Sequence, residues 1–497
     1  MARTDNLNNF LTDVADAIRT KTGGTEQIQA SQFDTEIESI NTGITPNGIV
    51  ESYYAYAGEN ISAGDFVQFI NGAASTETGV SEDVQLGSES QTGYRISAVE
   101  LPGNRVFIAH SYGSNYYLYG MIVTVNVDKI VVNFDTQLSN VYRSGFAISA
   151  KLLKDGRIFI AHSYNSSSYL YGMVCTVGES TIIVHNDISI NNESTDLDEY
   201  PNIDTVVLEN NYVFIAYCMS GYSLGTVVCK INDDNSIAFG ARNIGESKGG
   251  KGLSALLLPN GYIFVAHTSG NTESLYCSFY SVSDLTITKE ATRYIQTATD
   301  YNTGSHISTV LLDDGNIFIA HSGATILALY GIVCSISGTT VTAGKDTLIT
   351  NQYRTGEAIS AKKMPNGKIF IVHSHTNNSW HLYGVICSVS GTTITFGTDT
   401  PLENVTTNSG KFIDTVLFSN GYVFAAHSKG STYNLNAQIW GADEINNVPT
   451  NVISAIKYET QVKVATSTPF DGIAKTSGTG GTEELHNEQV EIYTLQG

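Results

Sequence analysis

Imidazoles are the first side chains here that invite a chemical reading, because six of them recur in one short pattern, IFIAHS and its close variants. They are His110, His162, His267, His321, His373 and His427, with Tyr217 taking the place once. Imidazole ligates metals and moves protons near neutral pH. Successive members of the series are 50 to 55 residues apart, which assigns them to separate structural units instead of one centre. The spacing predicts a structural hydrogen bond repeated near the end of a strand, and no metal. The six cysteines follow the same logic. None forms a C-x-x-C pair, and Cys175, Cys229, Cys334 and Cys387 fall at matching places, with Trp440 completing the series, as small buried strand residues. The GTGG at residues 478–481 lacks the Lys-Ser/Thr continuation of a phosphate loop and reads as a hairpin turn, so no cofactor is implied.

Catalysis finds little support. Glycoside hydrolysis needs two converging carboxylates, or a Tyr/Glu nucleophile with an arginine cluster. The acidic residues of the pattern, Asp155, Asp313 and Asp314, lie in turns instead. The chain is read as a non-enzyme. The segments after the histidines point to recognition: they carry Tyr112, Tyr116, Tyr117, Tyr164, Tyr169, Tyr222, His375, Trp380, His381 and Tyr433 among Asn, Ser and Gly. Aromatic faces stack on the C–H face of sugar rings while amides and hydroxyls exchange hydrogen bonds, so this mixture suits a glycan or protein ligand. Packing of loop against loop is the alternative. Arg95, Arg143 and Arg354, each beside a tyrosine (Tyr94, Tyr142 and Tyr353), either add anion-pairing groups to that surface or anchor a neighbouring unit.

The elements that position these residues follow from the repeat itself. Seven segments share one pattern, from ISAVELPGNRVFIAHS at residues 96–111 to IDTVLFSNGYVFAAHS at residues 413–428. Each unit reads as four strands, here A to D: ISAxLL, a turn such as PNG, IFIAHS, a longer loop, LYGxVCxV and a threonine-rich segment. A period slightly above ~40 to 50 residues with four strands per unit is that of a β-propeller blade. The chain is therefore mainly β, with a seven-bladed propeller over residues 74–444. The last unit lacks a convincing D strand, and residues 74–87, which precede the first A strand, resemble the D segments. They are expected to complete the last blade and close the ring. Because strands alternate in direction, B–C and D–A loops share one face of the disc, and the aromatic and arginine residues above gather there.

Outside the ring, residues 49–73 and 445–497 are strand-like and are expected to form one small β module, a stalk into which the propeller is inserted. In residues 1–48, Leu7, Phe10, Leu11, Val14 and Ile18 make one helical stripe behind Thr4 or Asp5, and Phe33, Ile37 and Ile40 make a second behind Ser31. Helices this short cannot bury such stripes alone, so this α-helical segment is read as an attachment or oligomerisation element. Lys and Arg total 26 against 48 Asp and Glu, a net charge of −22 that repels phosphate backbones. Nucleic acid is not an expected partner, and a polyanionic ligand is disfavoured against an uncharged glycan or a protein. No apolar run is long enough for a signal peptide core or a membrane span, so the chain is expected to be made in a cytosol without membrane insertion.

The segment NFLTDVADAIRTKTGGTEQIQASQFDTEIESI, with AIRTKTG at its centre, resembles the N-terminal segment of tail and baseplate proteins of phages infecting Gram-positive bacteria. The pairing of ISAGDFVQF with FDGIAKTSGTGGTEELHNEQVEIYTL is similar to small β modules of phage structural proteins. These stretches cover about a quarter of the chain. The resemblance implies a virion tail component whose N-terminal helices dock on other tail or baseplate proteins, as a homotrimer by analogy. Its propeller would be displayed for host attachment to a cell-surface glycan or protein. A purely structural tail component is the runner-up, and a surface-polysaccharide depolymerase the third alternative.

Overall fold

The structure is a computed structural model. It describes residues 52–57, 66–70, 83–87, 448–451, 461–464, 472–474 and 489–494, and residues 92–443 except 126–129, 165–168, 191–202, 220–222, 246–251, 270–273, 296–305, 324–326, 351–354, 357, 376–379 and 403–409. The helices expected within residues 1–48 and the GTGG turn lie outside the described residues.

Seven antiparallel sheets make the larger unit, each ordered A-B-C-D. Blade 1 comprises Ile96–Leu101, Arg105–Tyr112, Tyr117–Val125 and Ile130–Ser139, and its register pairs Ile96 with His110 and His110 with Tyr119. The repeat thus folds as the seven-bladed propeller it predicts. Strands form because apolar residues occupy both alternations and both faces of each sheet are covered by neighbouring blades. One phenylalanine per B strand (Phe107, Phe159, Phe214, Phe264, Phe318, Phe370, Phe424) is buried to at most 1% exposure. The strand C glycine leaves room for it: a Cβ on Gly120 would come within 3.0 Å of the Phe107 ring and 2.9 Å of Leu138. Truncating such a phenylalanine typically costs about 3–5 kcal/mol. Six A–B turns place glycine in the left-handed region, as Gly156 does at φ 87°, and blade 3 substitutes Asn210 and Asn211.

The blades are tied at the centre by a closed circle of hydrogen bonds between A strands. The second residue of each strand reaches the next blade: Ser97 to Ala150 N, Ser149 to Thr205, Asp204 to Ala255 N, Ser254 to Thr309, Ser308 to Ala361 N, Ser360 to Thr415, and Asp414 back to Ala98 N. Ser, Asp and Thr recur in the ISA and IDT motifs because a short polar group at this point either satisfies an edge N–H that no further strand will cover or bonds the next blade's threonine hydroxyl.

Closure uses both chain ends. Val84 and Gln85 pair with Ala437 and Asn436 of the last C strand, as expected for the 74–87 segment. Val448–Asn451 pairs with the same strand at Trp440–Asp443. The D edge of blade 7 is therefore composite, its first half from downstream and its second half from upstream. This corrects the expected boundary at 444/445 and the reading that no D strand follows the last repeat. The run VPTN is too short to resemble a D segment alone, yet it pairs because strand C leaves an open edge there.

The smaller unit is a closed five-stranded barrel in the order Ser52–Ala57, Gln461–Val464, Phe66–Ile70, Gly472–Ala474 and Gln489–Thr494, the last strand pairing back to the first. Strands from both chain ends thus complete one sheet.

Candidate functional site

The recurrent His-Ser pair at the end of strand B organises the B–C/D–A face. The Ser or Thr hydroxyl accepts the N–H of the residue just before strand A: Ser111 from Arg95 at 3.2 Å, Ser163 from Ala147 at 3.0 Å, Ser428 from Phe412 at 3.1 Å. The D–A loop is thereby pinned to strand B. The histidine pins strand D. His162 Nδ1 faces the Ser163 carbonyl at 2.6 Å and Nε2 faces Asp187 Oδ1 at 2.9 Å; His110, His321 and His373 repeat this with Asp135, Asp346 and Asp399. The repeated hydrogen bond expected of these histidines is present, and its partner is a carboxylate on the outer strand. In blade 4 hydroxyls substitute: His267 Nε2 meets Ser278 Oγ at 2.9 Å, which meets Thr292 Oγ1 at 3.0 Å.

Blade 7 takes its carboxylate from the far end of the chain. Asp83 accepts from His427 Nε2 at 3.1 Å and Asn436 Nδ2 at 3.0 Å, and it pairs with Lys429. Burial alone would raise the Asp83 carboxyl, but His427 and Lys429 outweigh it and hold the group well below the usual carboxylate range. Ring closure is thus electrostatic as well as strand pairing.

The clamped loops of blades 7, 1 and 2, with one residue of blade 6, form a continuous aromatic and cationic cluster on this face. Tyr94 lies 4.6 Å from Tyr116, 4.7 Å from Phe412 and 5.9 Å from Tyr433 between ring centroids. Arg95 sits 4.5 Å over Phe412, Arg143 4.1 Å over Phe146, and Lys411 4.9 Å from both Trp380 and Tyr433. Each such contact contributes about 0.5–2 kcal/mol according to its exposure. Tyr116 and Tyr433 hold the left-handed conformation at φ 51° and 52°, rare for a bulky residue. Their carbonyls accept Gly145 N at 2.6 Å and Gly93 N at 2.7 Å from the next blade's loop. A Cβ on either glycine would stand 2.7 Å from backbone oxygen, so only glycine lets the loops meet.

Of the residues expected to bind, Arg95, Arg143, Tyr116, Trp380 and Tyr433 converge in this cluster. Arg95 also anchors the next blade, donating Nε–H to Phe146 O at 3.0 Å; burial pulls its guanidinium down to about 10, leaving it charged at neutral pH. Tyr112 instead stacks on Tyr119 at 4.2 Å, and His375 on Tyr383 at 4.2 Å. Burial lowers the His375 imidazole while Asp399 opposes the shift. Tyr117 accepts a hydrogen bond from Asn115, Tyr169 is half-buried, and His381 opens strand C opposite His375. The Tyr164 side chain, Tyr222 and Arg354 lie outside the described residues. Phe146, Lys411 and Phe412 were missed. Their signal was position: Phe412 immediately precedes strand A, and Phe146 and Lys411 stand one residue earlier, whereas Arg95 and Arg143 share a Tyr-Arg dipeptide but not a place in the blade.

Among the described residues no group of three His, Cys, Asp or Glu is arranged to hold a metal ion. Burial pushes the Cys175, Cys334 and Cys387 thiols up to about 12, which removes them as nucleophiles at neutral pH.

No protein-family model and no curated protein matches this sequence. Solved structures match in shape. A Bacteroides fragilis protein proposed to be a 6-phosphogluconolactonase aligns at 12% identity over 73% of this chain and 99% of its own, with a TM-score of 0.50. A Lactobacillus plantarum protein aligns at 10% identity over 70% and 98%, with a TM-score of 0.49. The Aleuria aurantia lectin, a six-bladed propeller, aligns at 12% identity over 64% and 99%, with a TM-score of 0.40. At these identities the likeness extends to the fold alone.

Proposed function

We propose that this chain is a tail or baseplate protein of a phage of Gram-positive bacteria, whose propeller attaches to a cell-surface glycan. The observation that carries the attachment reading is the platform of Tyr94, Tyr116, Phe412, Tyr433 and Trp380, whose rings remain partly exposed on one face. Partly exposed aromatic groups held rigid by backbone clamps offer stacking surface at little entropic cost on binding. Arg95, Arg143 and Lys411 keep their charge over the rings, while the overall charge of −22 disfavours a polyanion. The phage assignment is supported by the resemblance of the N-terminal segment, which implies docking on other tail proteins.

The test is adsorption of the full chain to intact Gram-positive cells and to their purified wall polysaccharide. Trp380→Ala combined with Tyr433→Ala is expected to weaken binding at least tenfold while the unfolding midpoint stays within a few degrees. Undiminished adsorption of the double variant would refute the platform as the contact surface and favour a purely structural tail component.

A further inference from the structure

The platform is also where positive charge collects without a carboxylate to meet it. Arg95 donates Nε–H to Phe146 O at 3.0 Å and an Nη1–H to Tyr94 O at 3.2 Å, while its Nη2 reaches no acceptor among the described residues. Lys411 donates to Tyr433 Oη at 3.1 Å and forms no ion pair with a described residue. Both cations stand beside one ring, Arg95 at 4.5 Å and Lys411 at 5.7 Å from the Phe412 centroid, so they flank a single patch of aromatic surface. We propose that this patch binds a sugar bearing one acidic substituent, a carboxylate or a phosphate, with Arg95 and Lys411 holding the anion and the rings of Tyr94, Phe412 and Tyr433 holding the sugar. The inference rests on the platform reading of the proposed function and narrows its ligand.

Three observations carry it. Arg95 is pressed among the rings of Tyr94, Phe146 and Phe412, and the groups that act against the effect of burial on it are two phenols, Tyr94 and Tyr116, with no carboxylate. A guanidinium so enclosed has given up much of its hydration, so an anion arriving there gains a charge-assisted hydrogen bond that water does not compete away. The A–B turns on the opposite face treat cations differently: Lys154 pairs with Glu209, Arg157 with Asp155 and Lys363 with Asp313. In a chain with 48 acidic side chains against 26 basic ones, two cations left without an ion pair in one aromatic patch mark a place for a charge from outside. The seat is also rigid, since Tyr433, which accepts from Lys411, is fixed through its own carbonyl by Gly93 N at 2.7 Å. Charge elsewhere on the chain does not oppose this ligand, because it is screened over ~8 Å at physiological ionic strength. It repels a long polyanion, not one acidic group seated between two cations.

Calorimetric titration of the full chain with glucose, glucuronate and glucose 1-phosphate tests it, the last two separating a carboxylate from a phosphate. At least one acidic sugar is expected to bind tenfold or more tighter than glucose, a difference of ~1.4 kcal/mol, and to weaken as salt rises. Lys411→Met keeps an apolar stem against the rings and is expected to remove most of that preference. Arg95→Gln, which keeps a donor for Phe146 O, should do the same, with urea unfolding of both variants as the check on folding; Lys411→Met carries the test if Arg95→Gln does not fold. Acetate and inorganic phosphate alone should bind far more weakly than the acidic sugars. Glucose binding as tight as that of either acidic sugar, an acid preference untouched in Lys411→Met, free acetate or phosphate binding as well as the acidic sugars, or no binding of any acidic sugar would each overturn the inference. Cell adsorption of the Trp380→Ala, Tyr433→Ala variant scores the platform separately: reduced adsorption beside any of those results leaves the platform standing as a contact for another ligand, and undiminished adsorption removes both.

Discussion

Two interblade clefts of similar volume, about 460 Å³ between blades 1 and 2 and about 430 Å³ between blades 3 and 4, carry opposite charges in mixed linings. The first presents Asp187, Tyr171, Ser139 and two carboxamides beside Leu138 and Val141. The second, formed against the C–D turn of blade 4, presents Leu285, Ile287, Ala241 and Ile244 beside Arg242, Asn243 and Thr286. One architecture supports both, which teaches that blade geometry creates concavity and that a few outer-strand residues decide its chemistry. The histidine slot makes the same point. It is filled by a buried carboxylate in blade 7, partly exposed ones in blades 1, 2 and 6, and hydroxyls in blade 4.

Because Asp83 is the most buried of these carboxylates and closes the ring, its removal should have the largest consequence. Asp83→Ala leaves His427 and Lys429 facing an emptied partner at the point of closure, and a loss of about 3–5 kcal/mol is expected in urea unfolding of the full chain. The sign with pH follows from the lowered Asp83 carboxyl. Its contribution is complete above the ordinary carboxylate range near pH ~4 and is lost as pH falls through the folded value. The gap between wild type and Asp83→Ala should therefore narrow on acidification; a gap of constant size would break the electrostatic account of closure. Ser278→Ala in blade 4 removes the hydroxyl that the buried His267 Nε2 meets at 2.9 Å and should cost about 1–3 kcal/mol. A smaller loss would mean that blade 4 does not depend on its hydroxyl relay. Least affected should be Gln137→Ala and Asn140→Ala, which change exposed residues and should alter stability by no more than about 0.5 kcal/mol. A larger change would assign these side chains to the packing of blades 1 and 2.

The repeat was legible because each blade must independently pair four strands and bury a phenylalanine, so its constraints are written seven times at nearly constant spacing. The histidines could be read as structural from spacing alone, since equivalent places in separate blades cannot converge on one metal. Their carboxylate partners were not legible: Asp135, Asp187, Asp346 and Asp399 lie 25 or 26 residues downstream across an intervening strand, and Asp83 lies 344 residues upstream. The candidate site was half legible. Loop aromatics announced themselves by composition, but whether a ring joins the platform or stacks on its own blade depends on its position relative to strand A.

The sequence by itself determined the number of blades, the strand order within each and the need for an outer strand supplied from upstream, all consequences of local alternation and periodic turns. Tertiary structure alone decided that the final outer strand is shared by two distant segments and that Arg95, Lys411 and five rings assemble into one surface. It also decided that Asp187 stays open where Asp83 is covered. These depend on which blade lies beside which around a closed ring, and that adjacency brings residues hundreds of positions apart within hydrogen-bonding distance without leaving a local pattern to read.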